Sequence, residues 1–182
     1  MDIGLSIIYA IFLANFFEVE VNSFIVFLSI AFGILPDIDA PIQLLKTGNL
    51  HEGGFHRKYT HFPIIYLPIA IVIYIVWGGF FSLLFLINII SHFLHDTIGT
   101  GWGIAWLWPF NRKLYKYFRN PMNRKKSLTF FTSWNHEEVI VHNRKYGNKN
   151  WIKEYYFSLH PILIIEVLVL FIGLLLLYLT IR

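Results

Sequence analysis

The sequence contains no cysteine and few charged residues. Without cysteine, the 182-residue chain can form neither a disulfide bond nor a thiolate zinc site. Charged residues make up 14% of the chain, whereas soluble domains usually contain about a quarter. Hydrophobic residues reach 56% and aromatic residues 19%. This composition favours a membrane protein over the alternative, a soluble helical domain with unusually apolar helices, and any metal site must use His, Asp or Glu.

Five hydrophobic segments predict an all-α integral membrane protein with about five hydrophobic helices. They cover approximately residues 3–17, 21–35, 62–77, 80–93 and 161–181. The last is long enough to cross a hydrocarbon core of about 30 Å. The first four have about 15 residues each, or roughly 22 Å of helix. Their length leaves two arrangements open, complete crossing or hairpins that enter the bilayer without crossing it.

Basic residues are confined to one side of this expected bundle. Every Lys and Arg except Arg182 falls within residues 37–61 or 96–160, whereas the connections at 17–23 and 78–79 contain none. The positive-inside rule assigns the basic side to the cytoplasm. We therefore expect a multi-pass protein of the cell membrane, with its N-terminus inside and its C-terminus outside.

Polar motifs gather at the cytoplasmic ends of the hydrophobic segments. They are LPDIDAP at 35–41, FHRKYTH at 55–61 and SHFLHD at 91–96. On a helix, Asn88, His92 and Asp96 share one face. Simpler explanations exist for two of these motifs, a helix end at 92–96 and a solvated loop at 37–39. Their convergence instead predicts a site for one or two divalent ions, with Zn, Mn, Fe and Mg as candidates and hydrolysis as the chemistry that such ions support.

Local backbone expectations accompany these motifs. Pro36 and Pro41 should hold the intervening aspartates in an extended or turned segment. Thr60 is a plausible N-cap that would place His61 in the first turn of the third helix. Asn135 and Glu138 have the spacing of a helix-capping pair.

The combined motifs resemble the YdjM-like family of membrane-bound metal-dependent hydrolases. LPDID, HRKYTH and SHFLHD occur in the family's order and are followed by GTGWGIAWLWPF, so the resemblance covers residues from about 30 to 110. It implies metal ligands at Asp37, Asp39, His56, His61, His92 and Asp96. His95 is a second-tier candidate, which we assign as a proton shuttle. Family members usually have a histidine close to the N-terminus, and this chain has none there.

Residues 111–126 interleave basic and aromatic side chains. Such a stretch favours contact with anionic lipid headgroups, and nucleic acid is the less favoured partner. The basic residues concerned are Arg112, Lys113, Lys116, Arg119, Arg124, Lys125 and Lys126. We expect one membrane-embedded domain made of a metal-site core (1–110), a basic and aromatic cytoplasmic segment (111–160) and a C-terminal transmembrane helix (161–182).

These observations lead to one functional hypothesis and one rival. The first is a membrane-bound metal-dependent hydrolase that acts on a phosphoester, such as a lipid headgroup, at the cytoplasmic face. The rival is a non-catalytic membrane protein in which the same residues bind metal for structure, sensing or transport.

Overall fold

The computed structural model describes residues 1–47, 60–99, 101–118, 129–146 and 151–182, and most of them are helical. Two 3-10 turns, Leu35–Ile38 and Pro63–Ile65, lie immediately before α3 and α4. The helices are α1 (Asp2–Phe16), α2 (Ser23–Ile34), α3 (Asp39–Thr47), α4 (Tyr66–Trp77), α5 (Gly79–Ile98), α6 (His136–Tyr146), α7 (Trp151–Tyr156) and α8 (Pro161–Ile181), and the strands are β1 (Leu114–Tyr117) and β2 (Phe131–Trp134).

Three helical stretches in the described residues are long and apolar enough to cross a membrane. They are Ser23–Ile42, Gly79–Ile98 and Pro161–Ile181. Asp2–Phe16 and Pro63–Trp77 are also apolar but shorter. Of the about five hydrophobic helices expected, three in the described residues are therefore candidates to cross a membrane, fewer than the predicted topology assumed. The second segment gained length because its helix continues beyond the expected end, through a 3-10 turn into α3.

The polypeptide around Asp37 and Asp39 stays helical, contrary to the extended or turned segment expected there. Pro36 lies in the 3-10 turn and Pro41 is the third residue of α3. A proline fits the first turn of a helix because the N–H groups there have no intrahelical acceptor. In the third segment, helical structure begins only at Pro63, so Thr60 does not cap that helix.

The basic and aromatic segment begins with a β-strand, which the all-α expectation missed. β1 pairs antiparallel with β2, so that Leu114 faces Trp134 and Tyr117 faces Phe131. Aromatic residues are enriched in strands because they pack well on a pleated surface. The sequence analysis noted this alternation of basic and aromatic residues but interpreted it as a surface for lipid headgroups and not as a strand.

By its internal packing, the chain divides into two units. The first comprises Met1–Leu35, Tyr66–His92 and Asn150–Arg182. In it, α1 packs against both α2 and α8. The approach to α8 is close, since a Cβ on Gly4 would lie 2.7 Å from the Leu170 Cα and one on Gly173 would lie 2.8 Å from the Gly4 carbonyl oxygen. Small residues permit such backbone proximity between membrane helices.

The second unit comprises Pro36–Ile65 and Phe93–Lys149. It contains the β-hairpin, α3, the last turns of α5, and α6. The predicted capping pair of α6 is confirmed, because the Asn135 backbone N–H donates to the Glu138 carboxylate over 2.7 Å. The Trp134 side chain at the end of β2 is buried and meets the Trp102 ring edge to face.

Candidate metal centre

Four side chains converge to offer nitrogen and oxygen ligands: Asp37, His61, His92 and Asp96. One ligand atom from each lies within 4.8 Å of the others. Asp37 comes from the 3-10 turn after α2, and His61 comes from the segment just before the turn at Pro63. The other two lie one turn apart on α5, which is continuous from Gly79 to Ile98. This helix therefore fixes the spacing of half of the group.

His61 lies between the two carboxylates. Its Nε2 is 3.4 Å from the Asp37 Oδ1 and 3.2 Å from the Asp96 Oδ2. The His61 side chain is 1% exposed, Asp96 is 12% exposed and Asp37 is 44% exposed. The Phe93 ring, 5.9 Å from the imidazole, adds an apolar neighbour. The arrangement is thus buried around His61 and open to solvent at Asp37.

Thr60 determines which nitrogen of His61 carries the proton when the ring is neutral. Its hydroxyl donates to the Asp39 Oδ2 over 3.0 Å and lies 2.9 Å from the His61 Nδ1. Because a hydroxyl has one proton, the contact with Nδ1 requires the imidazole to donate. The Nε2 lone pair of a neutral His61 then faces the carboxylates of Asp37 and Asp96. An imidazole nitrogen and two carboxylate oxygens at these distances are ligand atoms that suit a divalent ion.

His92 is almost fully buried and has a carboxylate neighbour of its own. The side chain is 2% exposed, and its Nδ1 lies 3.4 Å from the Asp2 Oδ2 in the first turn of α1. One turn earlier on α5, the Asn88 amide accepts a hydrogen bond from Ser6 of the same α1 helix. The expected helical stripe of Asn88, His92 and Asp96 is therefore real, and α1 contacts its first two members.

Lys116 caps the C-terminal end of α5. Its Nζ donates to the backbone carbonyls of Asp96 (3.2 Å) and Gly99 (2.6 Å), and the residue is 1% exposed. The last carbonyls of a helix have no intrahelical donor and carry partial negative charge, so an ammonium group stabilises them. This position corrects the expectation that Lys116 contacts lipid headgroups, because its charge is directed into the protein.

The donor set fits a divalent ion. Two imidazoles and two carboxylates are ligands that Zn, Mn and Fe accept, and four protein ligands complete a tetrahedral zinc shell. Thr60 and Asp39 resemble the outer partners that orient ligating histidines in metal proteins. Exposure of Asp37 gives the group a solvent-facing side.

The structure brings together four of the residues that the sequence analysis proposed as ligands, namely Asp37, His61, His92 and Asp96. Asp39 is not in this group but is joined to it through the Thr60 hydroxyl. His95 lies on α5 next to Asp96 and is likewise not in the group. His56 lies outside the described residues. Assignment of any of them as a metal ligand or proton shuttle stays a prediction.

Sequence reasoning missed two polar residues at this centre. Thr60 was assigned to a helix cap, although its hydroxyl contacts Asp39 and His61. Asp2 was not proposed at all. The signal for Asp2 was available, because the topology predicted from the basic residues placed the start of α1 on the cytoplasmic side with the other motifs.

Comparison with known proteins identifies a family. The family model described as YdjM inner membrane protein matches residues 3–181, nearly the whole chain. No curated protein and no solved structure matches the sequence. The match extends well beyond residues 30–110, where the motifs carry the resemblance, and includes α1 and α8. The chain thus belongs to the YdjM family of inner membrane proteins.

Proposed function

We propose that this protein is a membrane-bound metal-dependent hydrolase whose site faces the cytoplasm and acts on a phosphoester, such as a lipid headgroup. One observation carries the proposal. The His61 Nε2 lies within 3.4 Å of oxygens from two carboxylates, while Thr60 accounts for the other ring nitrogen. This pattern favours a bound cation.

The ligands of the ion are Asp37, His61, His92 and Asp96, with His56 as a further predicted ligand. A divalent ion held there would polarise a phosphoryl oxygen and lower the pKa of a bound water. The Thr60 hydroxyl, fixed by Asp39, holds the His61 ring in the tautomer that presents Nε2. His95, on the same helix as two ligands, is the proposed proton shuttle.

Solvent exposure and charge support the choice of substrate. Asp37 leaves one side of the group open, as a catalytic site requires. Arg112 and Lys113, just before β1, are exposed and could attract anionic headgroups. The exposed rings of Phe118 and Phe130 suit the interface between lipid and water. Arg119, Arg124, Lys125 and Lys126 belong to the same proposed surface by sequence and lie outside the described residues.

The number of ligands favours a second candidate function. Four protein ligands can close a tetrahedral shell, and closed shells are typical of structural zinc sites. In that case the protein would bind metal for structure, sensing or transport and would catalyse no reaction.

The first experiment measures metal content by elemental analysis of protein purified in detergent. We expect near-stoichiometric divalent metal in the wild type, and loss of most of it in His61→Ala and Asp96→Asn. His136→Ala is the matched control, since His136 begins α6 and is not in the ligand group, and it should retain its metal. A wild type that stays metal-free after incubation with Zn, Mn, Fe and Mg would contradict both candidate functions.

A second measurement separates the two candidates. Metal-loaded protein is incubated with phosphoester substrates, including vesicles of anionic phospholipid, and phosphate or headgroup release is followed. Turnover that disappears in Asp96→Asn while the variant remains folded supports the hydrolase. Stoichiometric metal without turnover on any substrate, together with a higher melting temperature of the metal-loaded protein, favours the non-catalytic role.

A further inference from the structure

We infer that Asp2 is a positioning residue of the metal centre, which holds the His92 imidazole so that its Nε2 is the ligand atom. The inference rests on the proposed metal site. Asp2 lies in the first turn of α1. Its carboxylate Oδ2 is 3.4 Å from the His92 Nδ1, and the His92 side chain is 2% exposed.

A second contact shows that this placement is built into the packing of α1 against α5. Four residues after Asp2, the Ser6 hydroxyl donates to the Asn88 Oδ1 over 2.6 Å. Asn88 in turn lies four residues before His92. Residues four apart lie on the same face of a helix, so Ser6–Asn88 and Asp2–His92 are consecutive contacts along one antiparallel pair of helices.

The Ser6–Asn88 contact is itself held from a third helix. Ser29 of α2 donates to the Ser6 carbonyl over 2.7 Å and accepts a 3.0 Å hydrogen bond from the Asn88 amide. A Cβ on Gly33, one turn further along α2, would overlap the Ser6 hydroxyl oxygen. Three helices therefore fix the register that brings Asp2 to His92.

The chemistry of a carboxylate beside a ligating histidine explains its role. A carboxylate that accepts the Nδ1–H of an imidazole fixes its tautomer and makes the opposite nitrogen a better ligand. Asp2 is not part of the group of four ligands, so it would act on a bound ion only through His92. Thr60 and Asp39 act on His61 in the same manner.

The simpler explanation treats Asp2 as an ordinary acid at the start of a helix. An acidic residue there stabilises a helix by interacting with the positive end of its dipole. That explanation predicts an effect on stability and none on metal affinity. The two accounts therefore differ in what a substitution at Asp2 changes.

The test measures Zn and Mn affinity of detergent-purified protein by competition with a chromogenic chelator. The variants are Asp2→Ala and Asp2→Asn, with Glu20→Ala as the matched control, because Glu20 is an exposed carboxylate beyond the other end of α1. Loss of an outer partner typically weakens metal binding about 10–100-fold, and we expect that range for Asp2→Ala. Asp2→Asn keeps an acceptor oxygen without the charge and should weaken binding less. Glu20→Ala should match the wild type.

Two further readouts make the outcomes distinct. Melting temperatures in excess chelator should be similar for the wild type and Asp2→Asn, since the proposed role appears only with metal. The ¹⁵N spectrum of the metal-loaded wild type should show a protonated His92 Nδ1. If the wild type binds metal and both Asp2 variants bind equally tightly, the inference on Asp2 fails while the metal site stands. If the wild type binds no metal, both fail.

Discussion

Two polar clusters occupy successive turns of α5 and differ in how their hydrogen bonds are completed. The first is the neutral cluster of Ser6, Ser29 and Asn88. The second is the ligand group of Asp37, His61, His92 and Asp96. Asn88 and His92 are four residues apart on the same face of the helix, so the two clusters share one polar stripe within a largely apolar sequence.

The neutral cluster is complete without any added group. The Asn88 amide donates to the Ser29 hydroxyl and to the Leu84 carbonyl, and its oxygen accepts from Ser6. The Ser29 proton goes to the Ser6 carbonyl. Hydroxyl and amide groups contain both donors and acceptors, which is why three such residues can satisfy one another in a buried place.

The ligand group has a different balance of hydrogen-bond donors and acceptors. Ionised carboxylates only accept hydrogen bonds, and each neutral imidazole supplies a single donor. The Thr60 hydroxyl accepts the hydrogen bond from the Nδ1–H of His61, and Asp2 lies beside the Nδ1 of His92. The Nε2 of His61 then lies near the carboxylate oxygens of Asp37 and Asp96, and a cation would fit among these acceptor atoms. The neutral cluster therefore needs no ion for its hydrogen bonds, whereas the imidazole nitrogens and carboxylate oxygens of the ligand group are a donor set that a divalent ion accepts.

The strongest test converts the neutral cluster into an acceptor-rich one. Asn88→Asp removes the two donors of the amide and introduces a buried charge with no cation to compensate it. We expect a loss of about 3–5 kcal/mol in the free energy of unfolding, or failure to fold. Denaturant unfolding in detergent is the measurement.

Asn22→Asp is the matched control for this substitution. Asn22 caps α2 by accepting from the Ile25 N–H, and aspartate caps a helix as well as asparagine does. Its free energy of unfolding should stay near that of the wild type. Equal stability of the two variants would show that Asn88 is not in a closed cluster.

A steric change tests whether the neutral cluster depends on close helix packing. The Cβ of Gly33→Ala would overlap the Ser6 Oγ, so the hydroxyl must leave its partner or the helices must separate. We expect a loss of about 1–3 kcal/mol, measured as a lower midpoint of denaturant unfolding. In the control Gly79→Ala, the new Cβ meets only the Tyr74 ring, at 3.7 Å, and should cause little change. A Gly33→Ala variant as stable as the wild type would contradict this packing.

The substitution with the smallest expected effect tests whether the stability of α5 can be lowered without a change in metal binding at its C-terminal end. Lys116→Met removes the ammonium that bonds the Asp96 and Gly99 carbonyls, and should lower the free energy of unfolding by about 1–2 kcal/mol. Metal content should stay close to that of the wild type, since Lys116 bonds the backbone. Lys113→Met, at an exposed position, should change neither quantity. Complete loss of metal in Lys116→Met alone would show that the lysine positions the Asp96 ligand through its backbone.

The helical stripe on α5 was predictable because it depends on local spacing. Asn88, His92 and Asp96 are four residues apart in an apolar segment, and that pattern fixes one face of any helix they form. The convergence of His61 and Asp37 was inferred from the side of the membrane that basic residues assigned to their motifs. The contacts of Thr60 and Asp2 were not inferable in this way, since both residues also suit ordinary positions at helix starts.

By itself, the sequence determined that the protein is apolar and largely helical, that any metal site lacks sulfur ligands, and that polar residues gather at the ends of hydrophobic segments. These properties follow from composition and from the period of the helix. Only the tertiary structure decided that three helical stretches in the described part of the chain are long enough to span, that a pair of antiparallel strands follows α5, and which side chains meet. Those outcomes depend on where backbone hydrogen bonding continues through Pro36 and on the register between helices distant in sequence, which no local pattern specifies.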